Sequence, residues 1–94
     1  MAAMGAKARV ERLMAVLRYR VRSKMEVEVL DLSEGGCMVD SRGLGAKPEE
    51  RLLVKLPGLG EVGATLVWIE NHRAGLAFEE PLYTPVLENL VTQM

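Results

Sequence analysis

Val27-Glu28-Val29-Leu30-Asp31-Leu32-Ser33-Glu34-Gly35-Gly36-Cys37-Met38-Val39 is the stretch on which the fold turns. From residue 25 to residue 30 apolar and acidic residues alternate, which predicts a strand with Met25, Val27 and Val29 facing in and Glu26 and Glu28 facing out. That run ends in Asp31-x-Ser33-x-x-Gly36, and a second apolar run, Cys37-Met38-Val39, begins at once. Asp31 and Ser33 bring short side-chain acceptors, a hydroxyl donor and a ready bend. Gly35 and Gly36 permit positive φ angles and let another molecule approach the main chain. A turn of this kind either holds a polar ligand against a sheet edge or is simply a turn.

Outward from this hairpin the chain reads as further strands. Upstream, Met14, Val16 and Arg18 fall on one face and Leu13, Ala15, Leu17 and Tyr19 on the other. Helix competes over residues 7–18, where Ala, Leu, Met, Glu and Arg favour it. Tyr19 and Val21 tip the reading to a strand over residues 12–22, with Ser23-Lys24 in a tight turn. Downstream, two Gly and a Pro make residues 41–50 a loop. Residues 51–56 read as a strand stopped by Pro57-Gly58, residues 61–70 as a long strand, Asn71-His72-Arg73 as a turn, and residues 74–78 as a sixth strand. Thr84 then suits a helix cap and Pro85 a first turn, and Val86, Leu87, Leu90, Val91 and Met94 recur at helical spacing. Six short strands and a terminal helix predict a mainly all-β fold, a small six-stranded antiparallel barrel with a C-terminal α-helix. The helix either caps the barrel or leaves part of its apolar stripe for a partner.

Ninety-four residues, 49% hydrophobic and 27% charged, make one folded domain rather than a disordered chain. The lone Cys37 excludes an internal disulfide and fits a bacterial-type cytosol. No apolar run approaches the roughly 20 residues of a membrane span, and no secretory h-region is evident. Charge is uneven: residues 1–24 carry seven basic and one acidic residue, net +6, and residues 25–94 carry five basic and twelve acidic, net −7. A basic arm on an acidic body points to an anionic partner, or to simple neutralisation of the body. Residues 1–8 are expected to be a mobile arm and residues 9–94 a single domain.

Catalysis finds little support. His72, the one histidine, sits in a predicted turn with no partners at metal-ligand or catalytic spacing. Cys37 has no nearby His to activate it and reads as a small buried strand residue. Asp31 and Glu34 form no acid–base pair with anything converging on them. Trp68 has the ring to stack on a base, but its apolar neighbours Leu66 and Val67 favour a core or strand-pair role.

Asp31-Leu32-Ser33-x-x-Gly36, the Val67-Trp68 pair and Gly75-Leu76-x-Phe78, in this order, resemble the PilZ family over about residues 9–92. The resemblance implies a six-stranded antiparallel barrel that binds cyclic di-GMP. Two elements would recognise the nucleotide: an Arg-x-x-x-Arg arm before the first strand, and the Asp-x-Ser-x-x-Gly turn. Guanidinium groups fork onto phosphate oxygens or guanine O6 and N7, and a carboxylate accepts from guanine N–H groups. Carried onto this chain, the resemblance implies a nucleotide site of Arg9, Arg12, Asp31, Ser33 and Gly36, with Lys7 in support, in a non-enzymatic receptor that relays a signal to a partner protein.

The arm departs from the pattern. Gly5-Ala6-Lys7-Ala8-Arg9 stands where it should lie, with Gly5 at the first arginine position. A literal Arg-x-x-x-Arg exists at Arg18-Tyr19-Arg20-Val21-Arg22, but it ends only nine residues before Asp31. If residues 12–22 are a strand, those arginines sit at its far end; Arg18 and Arg22 serve as the arm only if that strand is missing and residues 9–18 are helical. The alternative reading is a degenerate PilZ-like scaffold acting through protein–protein contacts. Nonspecific nucleic-acid binding through the arm is opposed by the acidic body.

Overall fold

The computed structural model describes residues 12–20 and 23–92. Along the chain run β1 (Met14–Tyr19), β2 (Ser23–Ser33), β3 (Gly36–Asp40), β4 (Arg51–Lys55), β5 (Glu61–Glu70), β6 (Arg73–Phe78) and the helix α1 (Thr84–Val91). Every pairing is antiparallel, and the order β1-β2-β3-β6-β5-β4 closes into a barrel through β1 and β4. Closure removes the unpaired edges that an open sheet of six strands would present. The expected barrel with a C-terminal helix is the observed fold.

Alternation sets the core. Leu13, Ala15, Leu17 and Tyr19 point in from the β1 segment and meet Val27 and Val29 of β2, Val39 of β3, Leu52 and Val54 of β4, Leu66 of β5 and Leu76 of β6. Aliphatic side chains fill nearly all of this interior. Truncating one of them, as in Leu66→Ala, removes about 2–5 kcal/mol, a large share of the stability of a domain this small. Leu82 and Leu90 close the barrel from the helix side, and Val86 and Leu87 pack against the same core. The helix therefore caps the barrel, although Tyr83 and Val91 stay exposed.

Several boundaries differ from the reading of the sequence. β1 stops at Tyr19 and Ser23 already pairs with it, so Ser23-Lys24 belongs to β2 and the reversal lies before it. Val21 and Arg22 lie outside the described residues. The helix alternative for residues 7–18 fails from Met14 onward, because Met14–Tyr19 has partners on both sides, β2 and β4. β2 runs on to Ser33, so Asp31 and Ser33 are strand residues and only Glu34-Gly35 form the turn. Thr84 is the first helical residue rather than the cap; the cap is Tyr83, and the Thr84 hydroxyl is hydrogen-bonded to Glu34 Oε2 at 2.6 Å.

The two tightest hairpins are made differently. Asn71 and His72, at φ 54° and 63°, both take the left-handed conformation that a two-residue hairpin favours. Glu34 and Gly35 do not; positive φ among the described glycines is confined to Gly43 and Gly58. The motif turn is instead braced from outside. Phe78 N–H donates to the Gly35 carbonyl and Leu82 N–H to the Glu34 carbonyl, each at 2.8 Å.

Candidate functional site

Two β-bulges build the site. In β2, Val29 pairs with Val39 but Asp31 pairs with Met38, so Leu30 is an extra residue. Strict alternation from the buried Val29 would turn Asp31 inward. The extra residue shifts the phase by one, so Leu32 is buried while Asp31 and Ser33 face out. In β5, Leu66 pairs with Leu76 and Trp68 with Gly75, leaving Val67 extra. Alternation from the buried Leu66 would bury Trp68. The bulge exposes Val67 and Trp68 instead, at 50% and 39%. Both phase shifts deliver their side chains to the same outer face, that of β2, β3, β6 and β5.

There they line a shallow groove of about 380 Å³, with Asp31 and Ser33 on one side, Val67 and Trp68 on the other, and Gly36, Met38 and Gly75 among the residues between. Two glycines make it possible. A Cβ on Gly75 would collide with the Trp68 indole, so the ring lies directly over that backbone. A Cβ on Gly36 would collide with the Leu76 carbonyl. On the side where its Cβ would stand, Gly36 allows the close approach of β6. Gly35 has open space around the position of a Cβ.

The polar groups are partly engaged. Asp31 Oδ1 accepts from Leu32 N–H at 3.0 Å, and the Ser33 hydroxyl donates to the Gly36 carbonyl at 3.2 Å. Asp31 Oδ2 has no hydrogen-bond partner among the described residues and is available as an acceptor. Cys37 points into the core, where burial pushes its thiol up to about 12 and leaves it without thiolate character. Among the described residues no group of three His, Cys, Asp or Glu side chains is placed to hold a metal ion. His72 occupies an exposed turn.

The structure therefore brings Asp31, Ser33 and Gly36 together. Arg12 stands at the same end of the barrel, since Val29 N–H donates to the Leu13 carbonyl at 2.8 Å. It lies on the β1 side, outside the groove lining, with Nη1 3.8 Å from Glu28 Oε1. Arg9, Lys7 and Gly5 lie outside the described residues, as does Arg22. Arg18 pairs across from Lys24, seven residues before Asp31 on β2, or about 23 Å at the usual strand rise. It is held by Glu61 Oε2 at 2.9 Å. The literal Arg-x-x-x-Arg thus begins at the end of the barrel opposite the groove.

Trp68 is the groove residue that strand alternation assigns elsewhere. Trp68 keeps its strand-pair role, opposite Gly75, but it is not core. The unbroken apolar run at residues 66–69 and the glycine within β6 were the available signals, because glycine inside a strand marks a bulge or a close approach.

The PilZ domain family model matches residues 7–93. No curated protein matches the chain. The matched span begins at Lys7, so it takes in Arg9 but not Gly5.

Proposed function

The chain belongs to the PilZ domain family, and from that premise we propose that it is a cytosolic receptor for cyclic di-GMP that passes the signal to a partner protein. PilZ domains are non-catalytic receptor domains and are generally receptors for this nucleotide. The observation that carries the reading is the groove, in which two independent bulges set an acceptor carboxylate and an indole on one face.

In this reading Asp31 Oδ2 accepts from guanine N–H groups, the Ser33 hydroxyl adds a polar contact, and the Trp68 ring offers a stacking surface for a base. Arg9, with Lys7 and Arg12, supplies cations for the phosphates from the segment that precedes β1. Each charge-assisted hydrogen bond contributes roughly 1.5–3 kcal/mol. Folding the basic segment over the nucleotide reshapes the motif end of the barrel, where Glu34 meets Thr84 and Leu82, and so reaches the cap helix.

One observation favours a second reading. Gly5 occupies the place of the first arginine, outside the matched span, so a scaffold that contacts proteins without the nucleotide is the alternative. An amide NMR titration with cyclic di-GMP, with GTP as control, separates the two. Saturable shifts at Asp31, Ser33, Gly36 and the Trp68 indole support the receptor. Spectra unchanged at millimolar nucleotide leave the scaffold.

A further inference from the structure

At the end of the barrel opposite the groove, a cleft of about 340 Å³ is lined by Arg18, Arg20, Lys24 and Arg51, together with Ser23 and the β4 leucines. No acidic residue is among its described lining. That is four of the chain's twelve basic residues in one concavity, on a body whose net charge is negative. Register explains the clustering. Arg18 of β1 lies between Lys24 of β2 and Leu53 of β4, and Arg51 is two residues along β4 on the same outer face as Leu53.

Three of these cations are held through Nε or Nη2. Glu61 holds Arg18 at Nε, Glu50 holds Arg20 at Nε and Nη2 with the Gly45 carbonyl also accepting from Nη2, and Glu79 holds Arg51 at Nε and Nη2. The Nη1 groups of all three arginines, and the whole Lys24 ammonium, have no acceptor among the described residues. The two-point contacts orient the Arg20 and Arg51 guanidinium groups, and Nη1 of all three arginines stays open. Such pre-set forks match the oxygens of a phosphate chain. A cleft this small accommodates a compact ligand rather than an extended acidic peptide.

We propose that this cleft is a second anion site, separate from the Asp31 groove, that takes a compact phosphoanhydride chain of the di- or triphosphate kind. The test is an amide NMR titration of the full chain with sodium tripolyphosphate at constant ionic strength, with ATP and hexaglutamate as parallel arms. Saturable shifts are expected at Arg18, Arg20, Ser23, Lys24 and Arg51, with Asp31, Ser33 and Gly36 unmoved. ATP equal to tripolyphosphate identifies the phosphate chain alone as the recognised element; tighter ATP binding identifies a nucleotide. Lys24→Gln, which breaks no contact of the fold, should weaken binding about tenfold, the loss of one charge-assisted contact. Unchanged affinity in Lys24→Gln, equal binding of hexaglutamate, or weak unsaturable shifts spread over Lys47, Lys55 and Arg73 would overturn the proposal.

Discussion

Gly35 and Gly36 are neighbours in one motif, yet the structure assigns them opposite sensitivities to a methyl group. At Gly36 an added Cβ meets the Leu76 carbonyl, Leu76 backbone carbon and Ala77 Cα, all main-chain atoms of β6. A side chain could swing aside; a paired strand cannot, because Gly36 is held in register with Ala77 and Cys37 with Leu76. Gly36→Ala must therefore push β3 and β6 apart, and overpacking of this kind costs about 1–3 kcal/mol. At Gly35 nothing lies within 4 Å of a Cβ and φ is not in the left-handed region. Gly35→Ala should be neutral, or stabilising by about 0.4–1 kcal/mol through the unfolded chain. Urea denaturation reads both. With a slope of roughly 1–2 kcal/mol per M, a loss of about 2 kcal/mol lowers the midpoint for Gly36→Ala by about 1–2 M, while Gly35→Ala stays at or above the wild type. Equal midpoints for Gly36→Ala and the wild type would refute the close approach of β6 and return that glycine to a purely ligand-facing role.

Other expectations follow from single contacts. Trp68→Ala should weaken cyclic di-GMP binding by about 1–3 kcal/mol, the usual worth of a base on an aromatic ring, with little change in thermal midpoint because the ring lies outside the core; calorimetry and a thermal melt check both halves. Cys37, buried and pushed up to about 12, should resist a thiol reagent at mildly alkaline pH in the folded protein and react at once in denaturant. Asp40 is held from 3.8 down to about 2, first by the side-chain hydrogen bond from Arg42, then by the Arg42 backbone N–H. Its folded value lies below its ordinary one, so its small stabilisation is present above about pH 3.8 and is lost as pH falls through about 2. A carboxyl NMR titration should place the midpoint near 2, and Arg42→Gln should move it back toward 3.8.

Much of this architecture is legible in the residues. The Met25–Val29 alternation has the predicted facing, the set Leu13, Ala15, Leu17 and Tyr19 read as one face is the inward one, and the Gly-Leu-x-Phe run lies in the expected sixth strand. Leu76 and Phe78 fill the core, while Gly75 lies under the Trp68 ring. What alternation hides is the pair of bulges. Leu30 and Val67 are ordinary strand residues, and nothing in their side chains announces that each will be skipped by its partner strand. Trp68 therefore reads as a core or strand-pair residue, of which only the strand pair holds, and Asp31 and Ser33 read as part of a turn rather than as outward strand residues. The cap was hidden for a similar reason. Thr84 has the side chain of a cap, but Glu34, fifty residues away, takes its hydroxyl. Tertiary partners of this sort lie beyond any local pattern.

In the proposed function, the Asp31 groove binds cyclic di-GMP with help from the basic segment before β1. Isothermal titration of cyclic di-GMP into the full chain, and into Asp31→Ala and Arg9→Ala, tests it most directly, with thermal melts to show that both variants remain folded. Saturable binding by the wild type and a loss of about tenfold or more in each variant are expected. Absence of binding by the wild type, or unchanged affinity in both variants, would contradict it.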